Sequence, residues 1–505
     1  MSEIFVPSDQ LQRKIIGSAL DETLFIEAGA GTGKTTELVS RVINLIKSGT
    51  VIIDCLAVIT FTEAAAAELR GRIRRELEEN AQYTGNDTIE RLRCLDAISN
   101  MENTAIQTLH SFAGALLRER PLEAGLPPNF EVLDPMEADI NFENRWQLWV
   151  DDVLDSESTL MQLPLALYMG LNLDGLKTVA RSLHSNYDIL PASFPPEPQP
   201  ARKSVQQVIE ASAIIRHLIP LNKLGPDDLL VEHAQRVVAL GDHLATIHDQ
   251  TYDALAFLVR WGKLSFSKGR QSDWETNPVT GENGCKELKA ILKELEDIKN
   301  NEVELTRRSL LMPILDSVRL FLSDYTIERR QSGKVEFHDL LVWARNLLRD
   351  NIDARRHFQH RFTHILIDEF QDTDPIQAEI AFFLSEVPSE SDDPSLFNQD
   401  WTTIKTVQGK LFVVGDPKQS IYRFRRADIA AVEQVRSLMG GRTIALSQNF
   451  RSQNTIIDWV NHIFTKLMGT GSTGIQAPYI ELEARWNAPT VKPPMGVHWF
   501  GSPVS

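Results

Sequence analysis

One short segment, residues 24–35, constrains the fold of this chain more than any other. Its sequence, LFIEAGAGTGKT, joins an apolar run typical of a strand to a glycine-rich turn that ends in Lys34 and Thr35. Residues 34–48 then carry apolar side chains at helical spacing, and Gly49 is predicted to end the helix. A strand, a glycine-rich turn and a helix in this order predict a parallel α/β sheet with an anion site at the helix N-terminus.

The residue types of this turn suit a triphosphate with Mg²⁺. Its glycines let backbone N–H groups approach phosphate oxygens, Lys34 reaches the β and γ phosphates, and the Thr35 hydroxyl can hold the metal. Ala28 stands where the plain pattern has its first glycine, which is tolerable if its φ is negative. The nucleotide-binding residues predicted from the pattern are Ala28, Gly29, Ala30, Gly31, Thr32, Gly33, Lys34, Thr35 and Thr36. A strand-to-helix turn without a ligand is the alternative.

Composition excludes several classes of protein. The chain has 505 residues, 42% of them hydrophobic, which is enough for about three structural domains. Its N-terminus lacks a basic and apolar leader and no apolar run is long enough to span a bilayer, so we expect a cytoplasmic protein that does not bind membranes. Three widely spaced cysteines predict neither a disulfide framework nor a zinc cage.

The net charge of −17 argues against nonspecific coating of nucleic acid, because like charges repel. Two local clusters of arginine can override this average, although each by itself is more often a solvated face. They are Arg70, Arg72, Arg74 and Arg75 on one predicted helix, and Arg423, Arg425 and Arg426 in one loop.

Strands and helices alternate in two separated parts of the chain. Strands are predicted at residues 24–27, 56–61, 364–367, 411–414 and 443–446. Between about residues 122 and 336 the pattern is helical instead. The parallel sheet is therefore predicted to be split in sequence by an inserted helical domain.

Three segments outside the strands carry more specific predictions. A charged helix is predicted within the insertion over residues 286–325, together with a proline-rich linker over residues 191–200. Residues 388–409, rich in Ser, Asp and Glu, are predicted to form an exposed loop between two strands.

The strand at residues 364–367 ends in a carboxylate cluster that begins with Asp368 and Glu369. Beside a phosphate-binding turn, Asp368 is predicted to hold Mg²⁺, directly or through water. Glu369 is predicted to orient or deprotonate the attacking water. A solvated acidic turn is the alternative for such a pair in isolation.

The strand at residues 411–414 leads into a segment in which a polar amide precedes alternating aromatic and arginine residues. Gln419 lies near the strand end, where it can sense a γ-phosphate. Phe424 and Arg425 can stack on bases and pair with the phosphates of a single strand. Such alternation alone is more often an ordinary loop, and its position beside the other motifs favours the functional interpretation.

Together these segments resemble the superfamily 1 DNA helicases of the UvrD/Rep type, and among them RecB and AddA most closely. Residues 60–70, TFTEAAAAELR, are similar to the family's motif Ia, and residues 105–112, AIQTLHSF, to its motif Ib. Motif II is resembled by residues 368–374, motif III by residues 415–428, and motif IV by residues 448–452, QNFRS. The resemblance implies an α/β fold of RecA-like P-loop NTPase type.

Two weaker segments extend the resemblance. Residues 336–341, EFHDLL, resemble the segment with which the chain re-enters the first motor domain. Near the start of the chain, Gln12 resembles the glutamine that reads the adenine edge, with Gln10 as the alternative.

The resemblance implies ATP and Mg²⁺ as cofactors and assigns roles to individual residues. Phe450 is implied to stack on adenine beside Gln12. The implied catalytic residues are Lys34, Asp368, Glu369, Gln419 and Arg451, and the implied metal ligands are Thr35 and Asp368. The implied DNA contacts are Phe61, Thr62, His110, Tyr422, Phe424 and Arg425.

The implied domains follow the motifs. The expected boundaries place the RecA-like ATPase domain at residues 1–120 and 336–450, the inserted helical domain at 121–335, and the start of a second RecA-like motor domain at 451–505. No segment of the sequence resembles the family's motifs V and VI or the nuclease signature of RecB and AddA. The chain is therefore expected to correspond to the front part of such an enzyme, with weak turnover in isolation.

The implied function is an ATP-dependent DNA helicase or translocase of recombination and repair, with 3′ to 5′ polarity and stimulation by single-stranded DNA. Its expected partners are single-stranded DNA or a duplex with a 3′ single-stranded end, and a nuclease or second helicase subunit. A nucleotide-gated DNA-binding or regulatory subunit without autonomous helicase activity is the alternative. A P-loop enzyme unrelated to nucleic acid is disfavoured by the resemblance to motifs Ia, Ib, III and IV.

Overall fold

The computed structural model describes residues 7–83, 85, 87–155, 162–194, 203–247, 262–263, 266–388, 400–423, 426–469, 471 and 476–487. The chain divides into two compact units. The first, the sheet unit, comprises Met1–Leu133 and Arg330–Ser505, and the second, the helical unit, comprises Asp134–Arg329.

The described residues form helices and strands in the following order. The helices are α1 Gln10–Ser18, α2 Lys34–Ser48, α3 Glu63–Gln82, α4 Thr88–Ser99, α5 Leu109–Glu119, α6 Pro135–Asp155, α7 Gln162–Tyr168, α8 Leu173–His184, α9 Lys203–Leu218, α10 Leu229–Ile247, α11 Gly284–Ser332, α12 Phe337–Asp350, α13 Ile352–Arg361, α14 Pro375–Ser385, α15 Ile429–Leu438 and α16 Asn454–Met468. The strands are β1 Leu24–Ala28, β2 Leu56–Thr60, β3 Ala105–Thr108, β4 Glu131–Val132, β5 Lys334–Val335, β6 His364–Ile367, β7 Leu411–Gly415, β8 Arg442–Leu446, β9 Gln448–Gln453 and β10 Glu483–Trp486. Short 3₁₀ helices include Phe370–Asp372 after β6, Trp401–Thr403 before β7 and Pro417–Gln419 after β7.

A six-stranded sheet in the order β3-β2-β6-β7-β1-β8 forms the centre of the sheet unit. All of its strand pairs are parallel. Strands β1, β2 and β7 are buried along their whole length, as expected for a parallel sheet covered on both faces. The predicted parallel sheet, split in sequence by helical material, is confirmed, and each predicted strand agrees with the structure to within one residue at either end.

Helix α2 packs its apolar face on this sheet and begins directly after the glycine-rich turn. Leu38, Val42 and Leu45 are fully buried in the main apolar cluster, as the helical spacing predicts. The helix ends at Ser48 and is capped by Gly49, whose φ of 76° is the left-handed conformation that favours glycine. The strand, the turn and the helix predicted from residues 24–49 are therefore all present.

The described residues of the helical unit form two apolar clusters. One gathers α9, α10 and the first part of α11, and the other gathers α6, α8 and the later part of α11. Helix α11 is 49 residues long and continues through Pro313, so the helix predicted at residues 286–325 is present and longer than predicted at both ends.

The insertion is shorter than the expected range of residues 121–335. Strand β4 pairs with β5 through Glu131 and Val132, and both strands belong to the sheet unit. These backbone hydrogen bonds tie the chain together on either side of the insertion. The helical unit therefore begins at Asp134 and ends at Arg329.

The prediction of an exposed loop over residues 388–409 is wrong for its second half. Ile404 and Thr406 are buried, and Thr406 pairs with Glu386 in an antiparallel bridge. Trp401 meets Phe382 edge-on, with ring centroids 5.1 Å apart. Residues 389–399 of that loop and residues 195–200 of the predicted linker lie outside the described residues.

A second, two-stranded parallel sheet is formed by β9 and β10, with α16 between them in sequence. Strand β9 begins at Gln448, which is three residues before the expected domain boundary at 451. Within the part of the chain that the structure describes, no helix combines the length and the apolar character needed to cross a bilayer.

Candidate active site

The glycine-rich turn of residues 28–33 lies at the carboxyl end of β1, and several of its carbonyl groups accept hydrogen bonds from nearby donors. Thr32 Oγ1 donates to the carbonyl of Gly29 at 2.8 Å. The carbonyl of Ala30 accepts from Asn449 Nδ2 at 2.7 Å, and that of Gly31 accepts from the backbone N–H of Phe450 at 2.8 Å. A carbonyl that faced a phosphate would repel it, so these contacts keep the acceptors of the turn away from an anion.

Two glycines make this arrangement possible. Gly31 has φ of 73° and Gly33 has φ of 88°, both in the left-handed region. A Cβ atom on Gly31 would lie 2.8 Å from Asn449 Nδ2 and from Arg451 Cβ, so strand β9 can lie on the turn only because residue 31 lacks a side chain. Gly33 is the N-cap of α2, and among the described residues no side chain caps this helix. Its first N–H groups are therefore available to an anion.

Lys34 is the first residue of α2, and its side chain reaches the carboxylate residues that follow β6. Its Nζ lies 3.0 Å from Oε2 of Glu369. Glu369 has φ of 52°, which is a strained conformation for a residue with a side chain and costs on the order of 1–3 kcal/mol. Strain of this kind is commonly found at functional sites, where the surrounding structure holds it in place.

Asp368 directly follows β6 and is buried, with its backbone N–H bonded to the carbonyl of Ile59 at 2.8 Å. Burial, together with the smaller effect of the charge on Glu369, raises the pKa of Asp368 to about 6. A buried carboxylate whose charged form is disfavoured in this way is suited to a cation. Thr60 ends the adjacent strand β2, and its buried hydroxyl has no hydrogen-bond partner among the described residues.

These residues fit a magnesium ion of the kind that P-loop enzymes use. Across the described ranges no three His, Cys, Asp or Glu side chains come together as a metal-binding set. Such a set is not needed, because in P-loop enzymes phosphate oxygens, one hydroxyl and one carboxylate share the metal with water. Thr35, half-buried in the first turn of α2, and Asp368 are the two protein groups that could hold such an ion.

Gln419 ends the 3₁₀ turn after β7, and its amide Nε2 donates to Asp416 Oδ2. The backbone N–H of Asp416 in turn donates to Gln371 Oε1 at 2.8 Å. Gln371 Nε2 donates to Glu369 Oε2 at 2.6 Å. The predicted catalytic residues Lys34, Glu369 and Gln419 are thus joined through neighbouring side chains at the carboxyl ends of β6 and β7.

The residues expected to contact adenine lie on α1 and β9. Gln12 is half-buried on α1, next to Arg13, whose guanidinium lies over the ring of Phe450 at 5.0 Å from its centroid. Arg13 also donates to the carbonyl of Thr32 at 2.9 Å and pairs with Glu37 at 2.7 Å. Arg13 therefore joins α1, the glycine-rich turn and α2 on the side where Phe450 lies.

Arg451 follows Phe450 on β9 and is exposed. Its backbone N–H donates to Asn449 Oδ1 at 2.9 Å, and the next residue, Ser452, donates to the same oxygen at 2.8 Å. Asn449 thus bonds the glycine-rich turn with its amide nitrogen and fixes the backbone of Arg451 with its oxygen.

Two aromatic pairs lie among the residues expected to contact DNA. The rings of Phe61 and Tyr422 are 5.0 Å apart, so motif Ia and motif III meet at this pair. His110 stacks on Phe337 at 3.8 Å, and the ring of Phe337 is 60% exposed. Burial lowers the pKa of His110 to about 4, with His338 adding to the effect, so the stacked imidazole is neutral at physiological pH.

Three residues predicted to contact DNA remain, and the structure describes one of them, Thr62. Thr62 is the N-cap of α3 and accepts from the backbone N–H of Ala65 at 3.1 Å. Glu63 joins the two motifs, because its carboxylate accepts from Thr108 and Ser111. Phe424 and Arg425 lie outside the described residues.

The arginine cluster on α3 is largely paired within the helix itself. Arg72 pairs with Glu68, and Arg74 with Glu78, each four residues apart. Arg70 donates to the carbonyl of Ile106 at 2.8 Å. These contacts favour a solvated helix face over a phosphate-binding patch.

The family model described as the UvrD/REP helicase N-terminal domain matches residues 8–439. The chain belongs to this family. The resemblance drawn from the motifs is therefore confirmed, and with it the RecA-like α/β fold.

Several bacterial relatives that share one name extend the match within the UvrD/REP family. The chain is 28% identical over 497 residues to an ATP-dependent helicase/nuclease subunit from Enterococcus faecalis. It is 28% identical over 509 residues to its counterpart from Exiguobacterium sibiricum, and 29% over 487 residues to that from Carboxydothermus hydrogenoformans. The alignments cover 89%, 91% and 88% of this chain, but 37%, 40% and 38% of these relatives. The chain therefore spans less than half the length of the relatives that it matches.

Sequence reasoning missed several residues of this UvrD/REP-type site. Arg13, Gln371 and Asn449 each lie one or a few residues from a predicted site residue, but their partners are distant in sequence. Phe337 begins α12 within the segment that re-enters the sheet unit, and its exposure is visible only in the structure. Glu27 could have been identified from the sequence, because it is the single charged residue in the apolar strand β1.

Proposed function

We propose that this chain is the ATP-binding part of a DNA helicase or translocase that moves 3′ to 5′ on single-stranded DNA in recombination and repair. The observation that carries the proposal is the joining of Lys34, Glu369 and Gln419 through hydrogen bonds at the carboxyl edge of the sheet, in a chain of the UvrD/REP family. This is where a P-loop, a catalytic carboxylate and a γ-phosphate sensor would have to meet.

The nucleotide would lie on the glycine-rich turn and the N-terminus of α2. Lys34 now pairs with Glu369, and a triphosphate carries enough charge to compete for the Lys34 ammonium. Once Lys34 binds phosphate, Glu369 is free to accept a proton from the attacking water or to orient it. Gln419 and Arg451 would contact the γ-phosphate, and Phe450 and Gln12 the adenine.

Thr35 and Asp368 would hold magnesium, which would supply positive charge to offset that of the phosphates. The residues of the chain itself supply the positioning. Gly33 keeps α2 without a side-chain cap, and the donors from Asn449 and Phe450 hold the carbonyls of the turn away from the phosphates. Preorganised groups of this kind do not have to reorient when charge develops, which is why they accelerate phosphoryl transfer.

Single-stranded DNA would cross the aromatic pairs next to motifs Ia, Ib and III. Phe61 and Tyr422 form one stacking surface, and His110 with Phe337 forms another. Base stacking on aromatic rings tolerates any sequence, as a translocase requires. Thr62 lies at the N-terminus of α3, where backbone N–H groups favour a phosphate.

Two further elements of the proposal concern what surrounds the site. Residues 448–487 would begin a second α/β motor domain, since β9, α16 and β10 form a parallel β-α-β unit separate from the main sheet. A partner with nuclease or helicase activity would act with the chain in the cytoplasm, because the relatives named above are described as one subunit of a helicase/nuclease.

The first test is ATP hydrolysis by the purified chain with and without single-stranded DNA, with Lys34→Ala as the background. Stimulation by DNA well above that variant supports a working motor. Binding of nucleotide and DNA without stimulated turnover would instead support a nucleotide-gated DNA-binding subunit. Absence of nucleotide binding at Lys34 would refute both.

A further inference from the structure

A continuous series of polar contacts leaves the glycine-rich turn at Lys34 and returns to β1 at Glu27. The first half runs from Lys34 to Glu369, Gln371 and Asp416. In the second half, Lys418 Nζ lies 2.9 Å from Asp416 Oδ1 and 3.1 Å from Glu27 Oε1. The series therefore begins and ends on the same strand-turn-helix segment and passes through both motif II and motif III.

Gln371 is the link between the two motifs in this series. It is 2% exposed, and its amide is used at both ends, with Nε2 on Glu369 and Oε1 on the backbone N–H of Asp416. A Cβ atom on Gly415 would lie 3.1 Å from Gln371 Oε1, so the amide lies against bare backbone. Because Gln371 is buried and bonded at both ends, it connects the Glu369 carboxylate directly to the turn that begins at Asp416.

The turn that begins at Asp416 is anchored to β1 through Lys418 and leads to the ring pair of Phe61 and Tyr422. Glu27 is buried in β1 opposite Gly415, and it also lies 3.5 Å from Arg436 of α15. Three residues beyond Gln419 lies Tyr422, whose ring meets Phe61. Displacement of Asp416 would therefore act on a turn that is anchored at Glu27 and leads to Tyr422.

We infer that Gln371 is a positioning residue that couples occupation of the nucleotide site to the affinity for single-stranded DNA. When phosphate takes Lys34 from Glu369, the carboxylate shifts against Gln371 Nε2. The opposite end of the same amide shifts the backbone of Asp416, and the turn carries this movement to Tyr422. The inference rests on the proposed function, and it assigns to Gln371 a part in regulation rather than contact with nucleotide or DNA.

The test measures binding of a fluorescein-labelled oligothymidylate with and without AMP-PNP and Mg²⁺. In the wild-type chain the nucleotide should change DNA affinity by a factor on the order of 10, within the usual range of coupling between sites. Gln371→Met removes the hydrogen bonds of the amide to Glu369 and Asp416 and should bring this factor to within about twofold of one. Each ligand alone should still bind to Gln371→Met, since its side chain contacts neither.

Gln359→Met is the matched control. Gln359 is also a buried glutamine, but it donates to the carbonyl of Phe383 at 2.8 Å, away from the site. This variant should lose similar stability and keep the wild-type coupling factor. If Gln371→Met does not fold, Gln371→Glu keeps the acceptor for Asp416 while it opposes Glu369, and it too should lose coupling.

Three results would overturn the inference. The first is a coupling factor in Gln371→Met equal to that of the wild type, and the second is an equal loss in Gln359→Met. The third is a wild-type chain that binds both ligands without coupling. A wild-type chain that binds neither ligand would instead overturn the proposed function, and the inference with it.

Discussion

The two edges of the central sheet both bury charged groups, but they hold them in different ways. At the amino edge, Arg41 donates to the backbone carbonyls of Ile16, Ala19 and Glu22, and Lys410 donates to that of Gln359. At the carboxyl edge, buried charges meet other side chains, as Lys418 meets Glu27 and Asp416. A backbone acceptor cannot move unless the fold changes, whereas a side chain can exchange one hydrogen-bond partner for another. Arg41 and Lys410 are therefore held by groups that stay in place, whereas Lys418 is held by groups that can change partner.

The largest effect is expected at the amino edge. Arg41→Met should lower the free energy of unfolding by about 3–5 kcal/mol, because it leaves several buried carbonyls without donors. Chemical denaturation measures this loss. Nucleotide binding per folded molecule should be unchanged, because Arg41 is 1% exposed and its partners precede β1. A loss below about 1 kcal/mol would contradict the structural role assigned to its carbonyl contacts.

At the carboxyl edge, the stability lost through one substitution should be partly restored by a second. Lys418→Met leaves the buried Glu27 short of a cation and should cost about 2–4 kcal/mol of unfolding free energy. The double variant with Glu27→Gln should recover about 1–3 kcal/mol of the summed single losses. Denaturation of all four proteins in the cycle measures this coupling. Additive losses would mean that Lys418 and Glu27 have no measurable coupling energy, which would contradict the exchange of side-chain partners proposed for this edge.

Some residues at the carboxyl edge of the sheet could be predicted from the sequence, and others could not. Lys34, Thr35 and Asp368 were predictable because each lies at a fixed offset from a strand end, where local pattern determines position. Gln371 and Asn449 were not, because their partners are separated from them by 45 and 419 residues and depend on strand order. Strand order in a sheet split by an insertion is not encoded in any local spacing.

Binding of single-stranded DNA should be confined to the carboxyl edge. Tyr422→Ala should weaken affinity for an oligothymidylate about 10-fold, since one stacked base contributes about 1–3 kcal/mol. Fluorescence anisotropy measures this change. Tyr83→Ala removes a tyrosine that is 63% exposed at the end of α3 and serves as the control. Equal weakening by both variants would mean that Tyr422 has no specific role.

The smallest effect is expected at Lys410, whose pKa is lowered to about 8 by burial. Below pH 8 the folded protein must hold a buried charge, so Lys410→Met should be more stable than the wild type by on the order of 1 kcal/mol. Above pH 8 the wild type folds with a neutral amine while its unfolded chain still binds a proton up to about pH 10.4. Wild-type stability should therefore rise relative to the variant between those values.

Denaturation of both proteins at pH 7 and pH 10 checks this prediction. The advantage of Lys410→Met should shrink toward pH 10. A difference that does not change with pH would show that Lys410 has the same pKa in the folded and unfolded chains.

The position of β1 has a consequence for the order in which the chain folds during synthesis. Strand β1 is made before its two neighbours in the sheet, β7 and β8, which are residues 411–415 and 442–446. At bacterial or eukaryotic rates of elongation the ribosome takes on the order of tens of seconds to reach them. For that time the apolar strand β1 lacks its neighbouring strands, so chaperones that bind exposed apolar segments should engage this part of the nascent chain.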